Sequence, residues 1–421
     1  MVEHAPPVGS AVDPAVSARD ALLITIARGI RQFAYGMLGV VLAVSLSQDG
    51  VSPTEIGALI TVSLVGDFCG TYLIGLGADQ WGRRRTLMVL AVLMAVTGAI
   101  FGLVRAFPVL LIAAFFGTLG TTASETAPFL PIEQAMLPLT APPGRRTSLF
   151  ARYNLVASFA GACGALFAGL PEPLTHLGLS LDLGLRLMFG LYAVAALAVV
   201  ILVGKLSPRV EAGPRSAGSP ARRLVPHLGL SRGIVLRLSG LFSVDALAGG
   251  LVVQSLLALY FNLRYGVSLD ALAALFFSAN LLASLSFLAA APLARRFGLL
   301  NTMVFSHLPS NVLLILIPIM PNYTLAALML LLRQLLSQMD VPTRQAYTMA
   351  LVAPEERTAA ASVTSLARSA GSATTPVISG ALMQGPLLAV GIPFLVAGGL
   401  KVAYDLVLWR VFLPVRVEET E

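Results

Sequence analysis

Long apolar segments alternate with short polar ones along almost the whole chain. Twelve of the apolar segments reach or exceed the length of about 20 residues that an α-helix needs to cross the hydrocarbon core of a bilayer. They run approximately over 20–46, 54–78, 84–105, 108–139, 147–171, 183–206, 233–262, 268–293, 299–319, 322–352, 357–383 and 386–413. The pattern predicts an all-α integral membrane protein with twelve transmembrane helices, numbered here in chain order.

The polar segment 207–232 is longer than the other interruptions and is rich in Pro, Gly, Ser and Arg, without helical periodicity. This composition is typical of a flexible linker. We therefore expect two six-helix bundles, at 20–206 and 233–413, joined by this linker. Residues 1–19 and 414–421 are expected to form polar tails.

The two halves of the chain repeat each other. The tripeptide Gly-Val-Ser precedes predicted helix 2 at 50–52 and predicted helix 8 at 266–268. Gly50 is followed 32 positions later by Gly82, and Gly266 is followed 32 positions later by Gly298. Internal repeats of this kind are characteristic of secondary transporters built from two pseudo-symmetric halves.

Composition places most of the protein surface in lipid. Hydrophobic residues make up 57% of the chain and charged residues 12%, and the mean hydropathy is +0.84, whereas a soluble domain has roughly 25% charged residues. The formal net charge is +7, but the arginines cluster in short loops, at 83–85, 145–146, 222–223 and 295–296. Such clusters mark cytosolic loops, so we expect no nucleic-acid partner. The prediction is a multi-pass protein of the cell (inner) membrane with both termini and the linker in the cytoplasm and a periplasmic segment around 171–186.

The loop between predicted helices 2 and 3 carries the most specific motif. It reads Gly75-Leu76-Gly77-Ala78-Asp79-Gln80-Trp81-Gly82-Arg83-Arg84-Arg85. It resembles the signature loop of the major facilitator superfamily, Gly-x-x-x-Asp-Arg-x-Gly-Arg-Arg/Lys, and departs from it at Gln80. The loop residues that we assign to gating are Gly75, Asp79, Gly82, Arg83 and Arg84.

The resemblance implies that helices 1, 4, 7 and 10 line a central cavity, which rocking of the two bundles exposes alternately to either side. It implies secondary transport of a small molecule without a cofactor, but it does not identify the substrate. We expect Asp79 to stabilise one gating state, by pairing with an arginine or by capping helix 11 near Arg357. The alternative is a loop carboxylate without a gating role.

Ionisable side chains inside the predicted helices are the candidate transport and coupling residues. Each costs roughly 2.5–3.5 kcal/mol at the centre of a membrane helix, so each must face a cavity or a partner. The candidates are Arg31, Asp67, Glu125, Glu133, Asp245, Arg333, Asp340, Arg344 and Arg368.

Several of these residues have alternative assignments. Glu125 has no cation within a turn of its own helix and is a candidate for the protonatable coupling residue, because burial disfavours a charged carboxylate. Asp67 and Arg368 could pair at the seam between the halves or act in transport. Lys401 and Asp405, four residues apart, are predicted to pair with each other.

Alignment of the two halves predicts two ion pairs of inverted polarity. The shared motif Pro-x-x-Gln-Ala places Glu133 opposite Arg344, and alignment of helices 1 and 7 places Arg31 opposite Asp245. We therefore predict the pairs Arg31–Glu133 and Asp245–Arg344, each within one bundle. The rival is a bridge between bundles, Glu133–Arg344. Arg333 and Arg344 could instead bind an anionic substrate, or only neutralise nearby acids such as Asp340.

Neither a metal site nor a disulfide is expected. Cys69 and Cys163 lie among small residues and are interpreted as packing residues. The four histidines have no ligand spacing. For His307, within an apolar span, an interior hydrogen-bonded role is favoured over a proton relay.

We predict proton-coupled efflux of a small molecule by a monomer, with protons and the lipid bilayer as the other partners. The alternatives are proton-coupled uptake of an organic anion and a transporter-derived membrane sensor or receptor. Helix 5 has Gly161, Gly164 and Gly169 but lacks the proline of the glycine-rich motif that drug antiporters of the family carry, which weakens an assignment to drug export. The sequence has no His-rich motif, nucleophile elbow or aspartyl dyad motif, so an enzyme is not expected.

Overall fold

A computed structural model describes residues 14–120, 128–142, 145–211, 229, 231–353 and 356–414. Over these residues the chain is helical, with turns and no β-strand. The α-helices are α1 Pro14–Gln48, α2 Pro53–Trp81, α3 Arg83–Leu103, α4 Phe107–Phe116, α5 Phe129–Met136, α6 Arg146–Phe167, α7 Pro171–Leu174, α8 Leu181–Gly204, α9 Arg232–Gly250, α10 Gln254–Tyr265, α11 Leu269–Phe297, α12 Leu299–Leu316, α13 Tyr323–Ser337, α14 Asp340–Ala350, α15 Arg357–Thr374, α16 Pro376–Leu382, α17 Pro386–Val390 and α18 Ile392–Phe412.

Ten helical segments in the described part of the chain are long and apolar enough to cross a membrane. They correspond to predicted helices 1–3, 5–10 and 12. Predicted helix 4 is not one continuous helix, because α4 ends at Phe116 and α5 begins at Phe129. Between them Gly117 is extended, with φ −95° and ψ 144°, and Gly120 has a positive φ of 56°. Residues 121–127, which include Glu125, lie outside the described residues.

Predicted helix 11 consists of α15 and α16 and is too polar to meet the same hydropathy criterion. Serines recur on α15 at 362, 365, 369 and 372, a spacing of three or four residues that places them along one side of a helix. Ser362 and Ser365 are exposed. A polar stripe of this kind at membrane depth is typical of a helix that lines a water-filled cavity.

Predicted helix 7 is interrupted between α9 and α10, at residues 251–253. Carbonyl groups at the end of α9 are bonded by hydroxyl groups from the neighbouring helix: Thr375 Oγ1 donates to the Leu247 carbonyl at 2.7 Å, and Ser379 Oγ donates to the Leu251 carbonyl at 2.6 Å. Because no free water is available in lipid, a broken membrane helix requires such partners.

The packing of the helices repeats between the two halves. In the N-terminal half α1 packs on α6 and α8, and α3 packs on α8; in the C-terminal half α9 packs on α15 and α18, and α12 packs on α18. Likewise α2 packs on α4, and α11 packs on α13. The two halves therefore form pseudo-symmetric bundles, as the sequence repeat predicts.

The repeated glycines Gly82 and Gly298 form equivalent turns. Gly82 has φ 97° and Gly298 has φ 80°, values that favour glycine over every other residue. Each glycine ends one long helix and begins the next. We call the end of the molecule that contains these two turns the arginine end, because arginines adjoin both, and the other end the opposite end.

The two bundles meet closely at the opposite end. A Cβ atom on Gly57 would overlap the Pro376 carbonyl, and one on Gly380 would overlap the Pro53 carbonyl. The Val377 backbone N–H of α16 donates to the Thr61 side chain of α2, with 3.1 Å between N and Oγ1, so a hydrogen bond also joins the two helices. The structure is thus closed between α2 and α16 at this end.

Candidate functional site

A fully buried ion pair lies inside the N-terminal bundle. Arg31 of α1 donates from Nη1 and Nη2 to the two carboxylate oxygens of Glu133 of α5, at 2.8 Å each. The residues are 0% and 1% exposed. This bidentate geometry is the strongest arrangement available to arginine and a carboxylate, and it forms the predicted Arg31–Glu133 pair.

Aromatic side chains complete this pair. The Tyr153 hydroxyl of α6 donates to Glu133 Oε2 at 2.6 Å, and the Phe129 ring centre lies 4.2 Å from Arg31 Cζ. Arg28 Cζ lies 4.0 Å from the centre of the Tyr153 ring. The sequence analysis missed both aromatic residues. Phe129 stands four residues before Glu133, a helical spacing that could have identified it, whereas nothing in the sequence marks Tyr153.

In the C-terminal bundle, the buried Asp245 of α9 is the centre of a larger network. Its Oδ1 accepts from Lys401 Nζ of α18, and its Oδ2 accepts from Arg368 Nη1 of α15 at 2.9 Å. Arg344 Nη1 of α14 lies 3.6 Å from the same Oδ2. Three cations from three helices thus surround one carboxylate that is 3% exposed.

The predicted Asp245–Arg344 pair is present only as this longer contact. Arg344 makes its shorter bond, 2.6 Å, with Asp340 Oδ2. Asp340 is four residues earlier on α14, so it lies on the same helix face as Arg344. The interpretation that Arg344 neutralises nearby acids therefore agrees with its contacts. Among the described residues, neither Arg344 nor Glu133 forms an ion pair between the bundles.

The predicted pairing of Lys401 with Asp405 is wrong. Lys401 donates to Asp245, while Asp405 accepts from α12: His307 Nδ1 lies 2.9 Å from Oδ1, and Asn311 Nδ2 donates to Oδ2 at 2.8 Å. Partners on neighbouring helices satisfy both residues better than a bond along their own helix face.

His307 is buried, 4% exposed, and lies between two carboxylates. Its Nδ1 bonds Asp405, and its Nε2 lies 4.0 Å from Asp245 Oδ1. The expected interior hydrogen bond is confirmed.

Arg368 and Asp67 do not form the seam pair that was one reading of the sequence, because Arg368 bonds Asp245 from its own bundle instead. Asp67 of α2 is buried, 8% exposed. Arg333 of α13 donates from Nη1 to Gln334 Oε1 at 3.2 Å, while its buried Nε has no hydrogen-bond partner among the described residues.

The hydrogen-bonded network contains equal numbers of acidic and basic side chains, and Arg368 is its most exposed member among the described residues. Asp245, Asp340 and Asp405 face Arg344, Arg368 and Lys401, so three negative charges meet three positive ones when His307 is neutral. Removing such charges from water is costly unless they are paired and hydrogen-bonded. The Arg368 side chain is 32% exposed and that of Asp245 only 4%. Arg368 therefore connects the solvent-facing side of α15 to the buried carboxylate.

At the arginine end, Glu211 caps α3. Its carboxylate accepts from the backbone N–H groups of Arg83 and Arg84, at 2.6 and 3.1 Å, where the helix dipole favours a negative charge. Arg83 Nη1 also donates to the Ala135 carbonyl at 3.2 Å. The sequence analysis missed Glu211 because it lies in the predicted linker 207–232, where no ordered role was expected. Residues 212–228 and 230 of this linker lie outside the described residues. Of Gly75 and Asp79, the structure describes only the backbone, which is part of α2. The predicted gating role of Asp79 therefore stays a prediction.

A second carboxylate, Glu356 before α15, bonds the residues that lead into α9. It accepts from the backbone N–H groups of Gly229 and Ser231, at 2.8 and 3.0 Å, before α9. Glu211 and Glu356 therefore fix the starts of α3 and α9, which are not equivalent helices of the two halves. Within the described residues, His, Cys, Asp and Glu side chains form no group of three that could hold a metal ion.

The chain is similar in sequence and in fold to known membrane proteins. The chain is 28% identical to an uncharacterised membrane protein of Saccharomyces cerevisiae over 428 aligned positions, 95% of each chain. It is 30% identical to the arabinose-proton symporter of Bacillus subtilis over 138 positions, 32% of this chain and 29% of the symporter. Its structure resembles a bacterial homologue of the human lysosomal transporter Spinster, solved inward-facing and unoccupied, with a TM-score of 0.71, 16% identity, and coverage of 97% of this chain and 100% of that one.

The family assignment rests on most of the sequence. The sequence pattern of the Major Facilitator Superfamily matches residues 24–337. This range includes the signature loop, the linker and the first helices of the C-terminal bundle. The chain therefore belongs to the Major Facilitator Superfamily, a family of secondary transporters of small molecules rather than enzymes.

Proposed function

We propose that this transporter couples the movement of a small organic anion to protons, with Asp245 as the proton-binding carboxylate and Arg368 as the anion-binding group. The observation that carries the proposal is the 2.9 Å bond from Arg368 Nη1 to Asp245 Oδ2. In this bond the cation is partly exposed and the carboxylate is buried. The pair is therefore placed between the polar face of α15 and the interior of the bundle.

A proton and an anion would bind together at such a pair. Protonation removes the charge of Asp245 and with it most of the attraction that holds Arg368. The released guanidinium then presents parallel N–H donors to a substrate carboxylate or phosphate, which match it in geometry. When the substrate leaves, Arg368 returns to Asp245 and displaces the proton. This sequence is cotransport.

Cotransport favours the uptake alternative over the efflux that the sequence analysis predicted. Efflux by exchange needs a site where a proton and a substrate compete. A cationic substrate would meet Lys401, Arg344 and Arg368 around Asp245 and be repelled. The local similarity to an arabinose-proton symporter supports coupling to protons. Arg333, whose buried Nε lacks a partner in the described part of the chain, is a second candidate contact for the anion.

The test begins with a ligand screen. Purified protein is heated with a panel of mono-, di- and tricarboxylates and organic phosphates, and a ligand at one hundred times its dissociation constant stabilises by about 2.7 kcal/mol. Hits are then labelled and their uptake into proteoliposomes is measured under imposed pH gradients. We expect uptake to increase when the outside is more acidic than the lumen. Stimulation by the reverse gradient would establish exchange and efflux instead, and uptake that ignores both gradients would refute proton coupling.

A further inference from the structure

Among the described residues, Arg333 of α13 is the basic residue in the interior of the C-terminal bundle that has no carboxylate partner. Arg344, Arg368 and Lys401 each bond a carboxylate. Arg333 instead donates from Nη1 to the neutral amide of Gln334 at 3.2 Å, and its buried Nε has no hydrogen-bond partner in the described part of the chain. The positive charge of Arg333 is therefore not offset by an acidic side chain.

Arg333 and Arg368 lie at a similar depth in the membrane. The helix α13 begins at the opposite end of the molecule, and Arg333 is ten residues after its first residue, Tyr323. The helix α15 begins at the arginine end, and Arg368 is eleven residues after its first residue, Arg357. At about 1.5 Å per residue, each arginine is roughly 15 Å from its end of a hydrocarbon core of about 30 Å. Both arginines are thus near the midplane, where transporters with two pseudo-symmetric halves bind their substrates.

The two arginines also face the same part of the bundle. Arg368 bonds Asp245, and Arg333 interacts electrostatically with both Asp245 and Asp340. Arg333 is partly buried, and the Arg368 side chain is 32% exposed. Lys401, the other cation bonded to Asp245, is buried. A solute that enters from the polar side of α15 therefore reaches the arginines rather than the lysine.

The charges of this region define what such a solute must carry. With His307 neutral, the three carboxylates of the network offset three of the four interior basic side chains, and the charge of Arg333 remains. Protonation of Asp245 leaves a second positive charge without a counter-charge. A monoanion would offset one of these two charges, whereas a dianion would offset both. A charge that is removed from water without a partner is costly, so the charge count favours the dianion.

We propose that the substrate is a small organic dianion, whose two negative charges are offset by Arg368 and Arg333. The inference rests on the proposed function, in which an anion takes Arg368 when Asp245 is protonated. Each guanidinium presents parallel N–H donors that match a carboxylate or a phosphate. A dicarboxylate can place one carboxylate on each arginine, and a phosphate monoester can carry both charges on one group. Arg333 is then the residue that distinguishes dianions from monoanions.

Matched pairs of ligands test the charge requirement. Purified wild-type protein is titrated by calorimetry with dicarboxylates from malonate to adipate and with their monoamides, and with phosphate monoesters and their methyl diesters. We expect the dianion of at least one pair to bind at least tenfold more tightly than its singly charged counterpart. That pair also identifies the anionic group. Equal affinities of the two members in every pair that binds would overturn the proposal.

Arg333→Gln tests where the second charge is held. The affinity for the dianion should fall at least tenfold, to that of its singly charged counterpart, whose own affinity should stay the same. Arg333→Lys should restore part of the loss. Because Arg333 has no ionic partner among the described residues, Arg333→Gln should not lower the unfolding temperature of the ligand-free protein, as loss of a structural ion pair would. Arg264→Gln, on an exposed residue at the opposite end of the same bundle, is the matched control and should bind both ligands like the wild type.

The outcomes separate this inference from the proposed function. If neither monoanions nor dianions bind the wild type, the proposed function fails, and the inference fails with it. If anions bind and a pH gradient drives their uptake, but Arg333→Gln weakens both members of a pair equally or weakens neither, only the assignment of a dianion to Arg333 fails.

Discussion

In the Arg31–Glu133 pair, each buried charge needs the other as its partner. Both partners are almost completely inaccessible, so either charge alone would be uncompensated. Breaking a buried pair by removal of one partner costs on the order of 3–5 kcal/mol, whereas replacing both partners costs far less. The pair therefore ties α1 to α5, whether or not it changes during transport.

Charge reversal tests this pair. Arg31→Glu and Glu133→Arg should each lower the unfolding temperature and abolish transport, because each places two like charges in contact. The double variant should recover part of both. Arg146→Glu, on an exposed residue at the start of α6, controls for a change of charge alone. If the double variant is no better than the worse single one, the pair does not stabilise the bundle, and rescue confined to Glu133→Arg with Arg344→Glu indicates a bridge between bundles instead.

The partners of the buried charged residues could be predicted from the sequence only in part. A charge inside an apolar span must have a partner, and the internal repeat indicated where to look for one, which was sufficient for Arg31 and Glu133. The spacing of Lys401 and Asp405 suggested a pair along one helix, but three-dimensional packing offered each a better partner on α9 or α12. The sequence does not indicate the roles of Tyr153 and Glu211. A tyrosine hydroxyl that bonds a buried carboxylate, or a carboxylate that caps a distant helix, is recognised only from its contacts in the folded protein.

At the scale of helices, the reciprocal contacts of Gly57 with Pro376 and of Gly380 with Pro53 allow α2 and α16 to meet. Their meeting also brings Thr54 and Gln384 together: Gln384 Nε2 donates to Thr54 Oγ1 at 2.6 Å. A larger residue at Gly57 would separate these backbones and hold this end open.

A cross-linking rate measures that closure. In a background with Cys69 and Cys163 replaced by Ala, Thr54→Cys and Gln384→Cys should be bridged rapidly by a short bifunctional reagent. Gly57→Val should reduce the rate several-fold. The matched control is Gly190→Val on α8, where a Cβ atom meets open space. An unchanged rate in Gly57→Val would show that the glycine is not needed for closure.

The signature loop gives a second prediction at this scale. We expect Asp79 to stabilise one gating state, so Asp79→Asn should express and fold almost normally while transport falls strongly. Expression and unfolding temperature are compared with uptake in the same preparations, and Gln80→Asn in the adjacent position serves as the control. A normal transport rate in Asp79→Asn would refute the gating role.

Helix boundaries were the easier part of the fold to predict. Ten predicted helices were found because length and hydropathy determine whether a segment can cross a bilayer. The breaks between α9 and α10 and within predicted helix 11 were not predicted. The break between α9 and α10 depends on the hydroxyl groups of Thr375, between α15 and α16, and of Ser379 on α16, which bond the freed carbonyls, and hydropathy does not report such partners.

At the scale of the whole molecule, orientation in the membrane remains a prediction. The arginine-rich loops place the arginine end, both termini and the linker 207–232 in the cytoplasm. In the cysteine-free background, Thr175→Cys should react with an impermeant maleimide added to intact cells, and Gln80→Cys should react only after the membrane is permeabilised. Labelling of position 80 with protection of position 175 would reverse the orientation.

In the proposed cycle, protons and an anion are coupled through Asp245. We would measure uptake driven by a pH gradient, proton flux and anion exchange for Asp245→Asn in proteoliposomes, with the anion found by the ligand screen. Asp270→Asn, on an exposed residue of α11 at the opposite end of the molecule, is the control. We expect Asp245→Asn to lose gradient-driven uptake and the accompanying proton flux while exchange of the anion falls much less, and Asp270→Asn to keep all three. Full gradient-driven uptake with normal proton flux in Asp245→Asn would show that Asp245 does not couple the proton to the anion.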